Sequence, residues 1–261
     1  MGRGASLCRF RKGGSFGVVI YFRAGTRKRV ILVLALILVL LGARVGLSLQ
    51  GPKQEVAARI SPVSRINTGQ PDVGIIVDVA QARPEQLQAA LATLETLKLH
   101  LTWFMDATTV EAQAPLVKEI ASKGHEIGIK GTDQKPLDRL SQVDVKDRIL
   151  RTRQALAKAG VEPVPFMYPP LGRYSDTVLT VAFQQGYQAI KPIFDASTMR
   201  GKEDMAAEKM AGALKPGDLI LLRVGRTGLD PEQGYLASFM TCLKQHGLSP
   251  VPLSVLVKGV K

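Results

Sequence analysis

The sequence has few of the residues that build disulfides and metal sites, with only two cysteines and three histidines among 261 residues. The cysteines, Cys8 and Cys242, lie on opposite sides of a long apolar run, so we expect no disulfide within the chain. Acidic residues are absent before Glu55. Internal repeats and low-complexity tracts are also absent, which excludes a repeat architecture.

The apolar run begins with VILVLALILVLLGA at residues 30–43. It reaches about 20 residues, enough to cross a bilayer, if Arg44 snorkels and VGLSL is included. Eight basic residues precede the run, so the positive-inside rule predicts a cytoplasmic tail at residues 1–29 and an exported remainder, as in a single-pass membrane protein. An uncleaved anchor at residues 30–49 is favoured over a cleaved signal peptide, because no A-x-A site follows the run.

Most of the formal net charge of +13 belongs to the N-terminal tail, and +4 remains when its eight cations and Arg44 are removed. A mildly basic exported domain is compatible with anionic cell-wall polymers, and it is no evidence for binding of nucleic acid. Beside a membrane segment, the basic tail indicates orientation and contact with anionic lipid. Residues 50–70, rich in turn-forming and polar residues, predict a linker, and the domain is expected at residues 71–261.

The pattern after residue 70 predicts an α/β domain. Short β-branched runs such as GIIVDV and LILLRV alternate with helical patterns such as PEQLQAALATLETLKL and DVKDRILRTRQALAKAG. This alternation is typical of parallel strands joined by crossover helices. About 190 residues are enough to form a core without a disulfide or a metal.

The segment GHEIGIKGTDQKP at residues 124–136 resembles the GHEIGNHTxSHP motif of the polysaccharide deacetylase family, the NodB-homology domain of carbohydrate esterase family 4. The resemblance implies a distorted (β/α) barrel with its site at the carboxyl ends of the strands. In the family, the last two histidines of this motif hold a divalent metal. Lys130 and Gln134 stand at those positions, and neither an ammonium nor a carboxamide replaces an imidazole ligand.

Further segments match the family in order over residues 71–257. GIIVDVA at residues 74–80 resembles the first barrel strand, which in the family ends in a general base and a metal ligand. Asp78 takes the position of the base and Val79 that of the ligand. LTWFMDATTVEAQAPLVKEIASKG at residues 101–124 resembles the second strand and the helix that follows it.

Two later family motifs are altered. FMYPPLG at residues 166–172 resembles an Arg-Pro-Pro-x-Gly loop with Tyr168 in place of the arginine. GDLILLR at residues 217–223 resembles the last strand, with Arg223 in place of the histidine that supplies the catalytic acid. Asp195 matches an aspartate that orients the family's arginine, so the resemblance implies that Asp195 has lost its partner.

The substitutions at the metal positions predict loss of ordinary deacetylation, and no cofactor is expected. A catalytic metal lowers the pKa of its bound water from about 15.7 to about 7, so without it the hydroxide population at neutral pH falls by roughly eight orders of magnitude. That loss is on the order of 12 kcal/mol of activation. Lys130 or Arg223 as an oxyanion donor supplies only about 3 to 4 kcal/mol, and a guanidinium cannot shuttle a proton at physiological pH.

Asp78 has two interpretations. It is either a surviving base or ligand-binding carboxylate, or a strand-end acid neutralised by Lys130 or Arg223, and we favour the second. Because the family positions converge on the metal, we expect Lys130 and Arg223 to face Asp78 in the vacated pocket.

Other polar side chains fall on the predicted rim and in the GHE turn. Tyr168, Arg173 and Tyr174 flank the Pro-Pro-x-Gly loop, where tyrosines either stack on sugar rings or pack. His125 belongs to the GHE turn, for which the resemblance implies a packing and hydrogen-bonding role.

Three functions stay open at this level. We favour an exported, membrane-anchored deacetylase-like protein that is catalytically degenerate and binds a cell-envelope glycan such as peptidoglycan. The alternatives are an active deacetylase of N-acetylated sugars with a non-standard site around Asp78, and a structural envelope protein that binds a protein partner.

Overall fold

The computed structural model describes residues 6–12, 15–21, 60–80, 82–196, 203–225 and 235–259. The chain divides into two compact units, residues 1–56 and 57–261. In the first unit, strands β1 (Ser6–Lys12) and β2 (Ser15–Tyr21) pair antiparallel. Within the described parts, no helix is both long and apolar enough to cross a membrane, and the predicted anchor at residues 30–49 lies outside them.

The second unit is built on a parallel sheet curled into a half-barrel. Its strands are β3 (Asp72–Ala80), β4 (Thr102–Asp106), β5 (Glu126–Gly131), β6 (Phe166–Met167), β7 (Gln188–Ala189), β8 (Phe194–Asp195), β9 (Leu219–Gly225) and β10 (Ser249–Val251). The order is β7-β6-β5-β4-β3-β9-β8, with β10 beside the start of β3, and every pairing is parallel. The predicted α/β architecture is confirmed.

Helices connect the strands, as the alternating sequence pattern predicts. They are α1 (Pro84–Thr96), α2 (Ala107–Ala112), α3 (Ala114–Ser122), α4 (Gln142–Lys158), α5 (Asp176–Gln184), α6 (Glu203–Ala213), α7 (Tyr235–Gln245) and α8 (Leu253–Lys258). Serine side chains cap two of them: the Ser141 side chain accepts a hydrogen bond from the Asp144 amide, and Ser175 accepts from the Val178 amide. Such caps fix where a helix begins and so where the preceding loop ends.

Side chains alternate between the two faces of each central strand. On β3, Ile75, Val77 and Val79 enter the larger hydrophobic cluster formed with the surrounding helices. Ile76 belongs to a smaller cluster on the inner face. Because alternation has a period of two, Asp78 lies on the inner face with Ile76, at the carboxyl end of its strand.

Part of the segment predicted as a linker, residues 60–70, packs on the barrel. Val63 bridges to Ile190 beyond β7, and Arg65 bridges to Asp218 before β9. Ile66 is buried in the inner cluster. We call residues 63–66 the strap. It bridges a residue just after β7 and a residue just before β9. Its irregular sequence gives no strand or helix period by which it could be recognised.

The strap fits only because residue 217 is glycine. Gly217 has φ +85, and a Cβ atom there would lie 1.8 Å from the Ile66 carbonyl oxygen. We expect Gly217→Ala to destabilise the domain more than Gly186→Ala, where φ is +83 and nothing lies within 4 Å. The control should lose about 1 to 2 kcal/mol from its left-handed backbone, and Gly217→Ala about 1 to 3 kcal/mol more from the clash.

Urea unfolding of both variants measures this difference. Limited proteolysis should also cut the strap faster in Gly217→Ala than in Gly186→Ala. Equal losses of stability in the two variants would contradict the role given to the strap.

Candidate functional site

A buried ion pair occupies the carboxyl end of the central strands. The Lys130 ammonium contacts Asp78 Oδ1, and the two side chains are 0% and 1% exposed. Lys130 comes from β5 and Asp78 from β3, two strands separated by β4. The predicted convergence of Lys130 on Asp78 is confirmed.

Lys130 has no unused donor. Besides Asp78, its Nζ donates to the Val79 carbonyl at 3.2 Å and to Gln134 Oε1 at 2.8 Å. An ammonium has three N–H groups, and three acceptors receive them. The ammonium is therefore held by the protein rather than presented to a ligand.

Gln134 connects this pair to the end of β4. Its amide Nε2 donates to the Val79 carbonyl at 3.1 Å and to Asp106 Oδ2. Asp106 also caps α2 by accepting from the Thr109 amide at 2.8 Å. Asp106 is absent from the predicted site residues. Like Asp78, it lies at the carboxyl end of a predicted strand, and this position in the sequence could have identified it.

Close packing beneath the pair explains the glycine two residues before Lys130. A Cβ atom at Gly128 would lie 2.4 Å from Phe104 Cε1. Phe104 fills the inner face of β4 and is fully buried. Gly128 thus lets the Phe104 ring pack against β5 just below Lys130.

Arg223 approaches Asp78 from the opposite side. Asp78 and Arg223 are register partners on β3 and β9, and Arg223 Nη1 lies 3.2 Å from Asp78 Oδ2. Arg223 Nε donates to Asp195 Oδ2 at 2.9 Å. The expectation that Asp195 has lost its partner is wrong, because an arginine from a different strand takes the place of the family's arginine.

Electrostatics keep Arg223 charged. Burial lowers its pKa, but the hydrogen bond and charge of Asp195, together with Tyr168 and Asp78, outweigh burial, so the pKa is raised overall. Arg223 cannot act as a general acid in this setting, since it would have to release a proton that two carboxylates stabilise.

Tyr168 lies inside the barrel rather than on its rim. It is 3% exposed, and its ring meets Phe104 edge to face at 6.1 Å. Burial first and the nearby Asp78 charge second raise the pKa of Tyr168 to about 12, so the phenol stays protonated at neutral pH. The ring is too buried to stack on a sugar, which corrects that part of the prediction.

The other two residues predicted at the rim, Tyr174 and Arg173, differ in their exposure to solvent. The Tyr174 hydroxyl donates to the Ile190 carbonyl, and burial raises its pKa. Arg173 is exposed. Contact of Tyr174 or Arg173 with a glycan stays a prediction.

His125 has the packing role that the resemblance implies. It is buried, its Nδ1 accepts from the Leu101 amide at 3.1 Å, and its ring meets Trp103 edge to face at 5.6 Å. Burial, with a smaller contribution from His100, lowers the pKa of His125 to about 4. The neutral imidazole is therefore a structural acceptor at the amino end of β5, away from the ion pair.

The donor set does not fit the divalent metal of the family. Val79 is buried in the outer hydrophobic cluster, and its carbonyl already accepts from Lys130 and Gln134. The Lys130 ammonium lies against the carboxylate of Asp78, where a second cation would meet repulsion at contact distance. Among the described residues, no group of three or more histidine, cysteine, aspartate or glutamate side chains has the arrangement of a metal site.

Removing Lys130 should expose the cost of an unpaired buried carboxylate. We expect Lys130→Met to destabilise the protein by about 3 kcal/mol. This value is at the lower end of the range for breaking a buried ion pair, because Arg223 still contacts Asp78 in the variant. Lys135→Met, at a lysine that is 78% exposed in the loop after β5, should change stability by less than about 0.5 kcal/mol. Adding Asp78→Asn to Lys130→Met should restore part of the loss.

A double-mutant cycle measured by chemical denaturation quantifies the coupling. We expect a coupling energy above about 1 kcal/mol. Strictly additive effects would contradict a direct interaction between the two side chains.

The lowered pKa of His125 predicts that the folded protein loses stability in mild acid. Its pKa is lower in the folded protein than the ordinary value of 6.5, so the unfolded chain binds the proton first. Stability is complete above pH 6.5 and should fall as the pH drops toward about 4. Unfolding free energies across this range should fall less steeply for His125→Asn, and equal slopes would contradict the assignment.

Comparisons with known proteins bear on the origin of this site. The family model of polysaccharide deacetylases matches residues 65–190. A peptidoglycan-N-acetylglucosamine deacetylase of Bacillus cereus is 27% identical over 179 residues, which cover 67% of this chain and 83% of the relative. The uncharacterized protein YlxY of Bacillus subtilis is 23% identical over 188 residues, and the match spans 71% of this chain but only 57% of YlxY.

Among solved structures, BA3943 of Bacillus anthracis, described as a CE4 family pseudoenzyme, has a TM-score of 0.68 at 20% identity, over 77% of this chain and 70% of that structure. At this identity the likeness shows the fold. The family match, in agreement with the ordered motifs around the site, shows a polysaccharide deacetylase domain at residues 65–190 of this chain.

Proposed function

We propose that this protein is a catalytically inactive, polysaccharide-deacetylase-like protein that binds a cell-envelope glycan. The observation that carries the proposal is the Lys130 ammonium, which stands at a family metal-ligand position and uses all three of its donors inside the protein. The barrel end keeps the positive charge of a metal site. The ammonium itself has no vacant coordination position and is not a Lewis acid.

The remaining polar groups do not supply the missing chemistry. Both carboxylate oxygens of Asp78 are already engaged by cations, Oδ1 by Lys130 and Oδ2 by Arg223. Arg223, at the position of the family's acid, is a permanent cation. General-base and general-acid roles are therefore both weakened.

The named activities of relatives support a glycan as the ligand. The Bacillus cereus relative is a peptidoglycan-N-acetylglucosamine deacetylase, and another match is a chitooligosaccharide deacetylase of Bradyrhizobium. A barrel that keeps the family frame but lacks the metal ligands is suited to hold such a polymer without cleaving its acetyl groups. The basic tail and apolar run at residues 1–49 complete the proposal, with a membrane anchor and an exported domain that meets the cell wall.

Two assays on the purified protein test this function. We expect no acetate release from N-acetylated chitooligosaccharides or peptidoglycan, with or without added zinc or cobalt. The Bacillus cereus relative serves as the active control. We expect the protein to be retained on insoluble peptidoglycan in a sedimentation assay.

Acetate release above the buffer control would contradict inactivity, and its survival in a chelator would point to a metal-free site around Asp78. Failure to sediment with peptidoglycan or chitin would contradict glycan binding and would favour a protein partner. Repeating the sedimentation at raised salt separates specific retention from attraction between a mildly basic protein and an anionic polymer.

A further inference from the structure

A cavity of about 260 Å³ opens beside the ion-pair network, and we call it the arginine cavity. Its polar lining is formed by Tyr168, Tyr174, Lys191, Asp195 and Arg223. At about 30 Å³ for each water, this volume holds roughly nine waters, so it has room for about one sugar ring.

The described lining carries more positive than negative charge. Lys191 and Arg223 are cations, and Asp195 is the one carboxylate among the described lining residues. The Asp78 charge is already matched by buried Lys130. Asp106 lies at the other end of the network and lines a different cavity. The arginine cavity is thus left with a surplus of about one positive charge.

The two cations are placed differently. Arg223 is fixed by Asp78 and Asp195 and is still 26% exposed. Lys191 is exposed, and its backbone amide donates to the Val63 carbonyl of the strap at 2.7 Å. One cation is rigid at the base of the cavity and the other is free to adjust at its opening.

An apolar edge accompanies these charges. Leu171 and Ile193 line the cavity and are 56% and 41% exposed. Leu171 has φ 59, a left-handed conformation that is strained for a non-glycine residue. The strained backbone holds a large apolar side chain toward solvent at the opening, where the C–H face of a sugar ring could pack.

We propose that the arginine cavity binds a sugar that carries a carboxylate, such as a uronic acid or a lactyl-substituted hexosamine. This inference rests on the proposed glycan-binding function and specifies its ligand. A carboxylate supplies the negative charge that balances the described lining. Guanidinium and ammonium groups are its ordinary partners. Leu171 and Ile193 contact the sugar ring.

Calorimetric titration of the full-length protein tests the proposal with defined sugars. The probes are N-acetylmuramic acid and glucuronic acid, with N-acetylglucosamine and glucose as neutral counterparts, and acetate and lactate as carboxylates without a ring. We expect the acidic sugars to bind at least tenfold more tightly than the neutral ones, and more weakly as salt is raised.

Lys191→Met provides the site-specific test, because this exposed side chain is not needed for folding. It should weaken binding of the acidic sugars roughly fivefold, the value of an exposed ion pair of about 1 kcal/mol, and leave the neutral sugars unchanged. Lys118→Met is the matched control, since Lys118 is also exposed and lines a cavity near the start of β5. It should change neither affinity.

The outcomes separate this inference from the proposed function. Equal affinity for acidic and neutral sugars, or no effect of Lys191→Met, overturns the carboxylate site and leaves glycan binding intact. Absence of binding to every sugar, together with no retention on peptidoglycan, overturns both. Acetate or lactate binding as tightly as the acidic sugars shows a site for small carboxylates and overturns the sugar ligand.

Discussion

The buried contact between Lys130 and Asp78 is the interaction on which the rest of the site depends. A carboxylate that is 1% exposed is costly unless it is paired and hydrogen-bonded, and Lys130 meets that need from two strands away. Once the ammonium is there, its remaining donors fix the Val79 carbonyl and Gln134. Gln134 in turn holds Asp106 at the end of β4. One network of hydrogen bonds and ion pairs thus joins the ends of β3, β4 and β5.

A lysine side chain at a metal-ligand position can replace the charge of the metal but not its chemistry. A lysine ammonium neutralises the carboxylate and holds nearby carbonyl and amide groups, as a metal would. It offers no vacant coordination site and does not lower the pKa of a bound water. Arg223 has a similar effect at the position of the family's catalytic histidine. It supplies a positive charge there, but it does not transfer a proton. Both substitutions are consistent with the proposed function, in which the barrel end binds a ligand without reacting with it.

Sequence could predict the parts of the fold that depend on local patterns. The strands around Asp78 and Arg223 and helix α4 follow from alternation and helical period, and the order of the motifs indicates the barrel. The Lys130–Asp78 pair was also predictable, because family positions that converge on a metal must still converge when the metal ligands change.

The remaining features depend on contacts that no local pattern encodes. Asp195 regains a partner because Arg223 reaches it from β9, a pairing visible only when the strands are placed side by side. The loop motif around Tyr168 indicates a position on the rim. In the structure Tyr168 packs against the Phe104 ring in the inner cluster. The strap lacks any periodic pattern, and its place on the barrel is set by Gly217 and Asp218, which are more than 140 residues away in the chain.

A crystal structure of the protein grown with excess zinc, with anomalous data collected at the zinc edge, tests the central claim most directly. The account predicts the Lys130 ammonium in contact with Asp78 and Gln134, and no anomalous peak within coordination distance of the Asp78 carboxylate. An anomalous peak bound to Asp78, with Lys130 turned away, would contradict the claim that a fixed side-chain cation has replaced the metal.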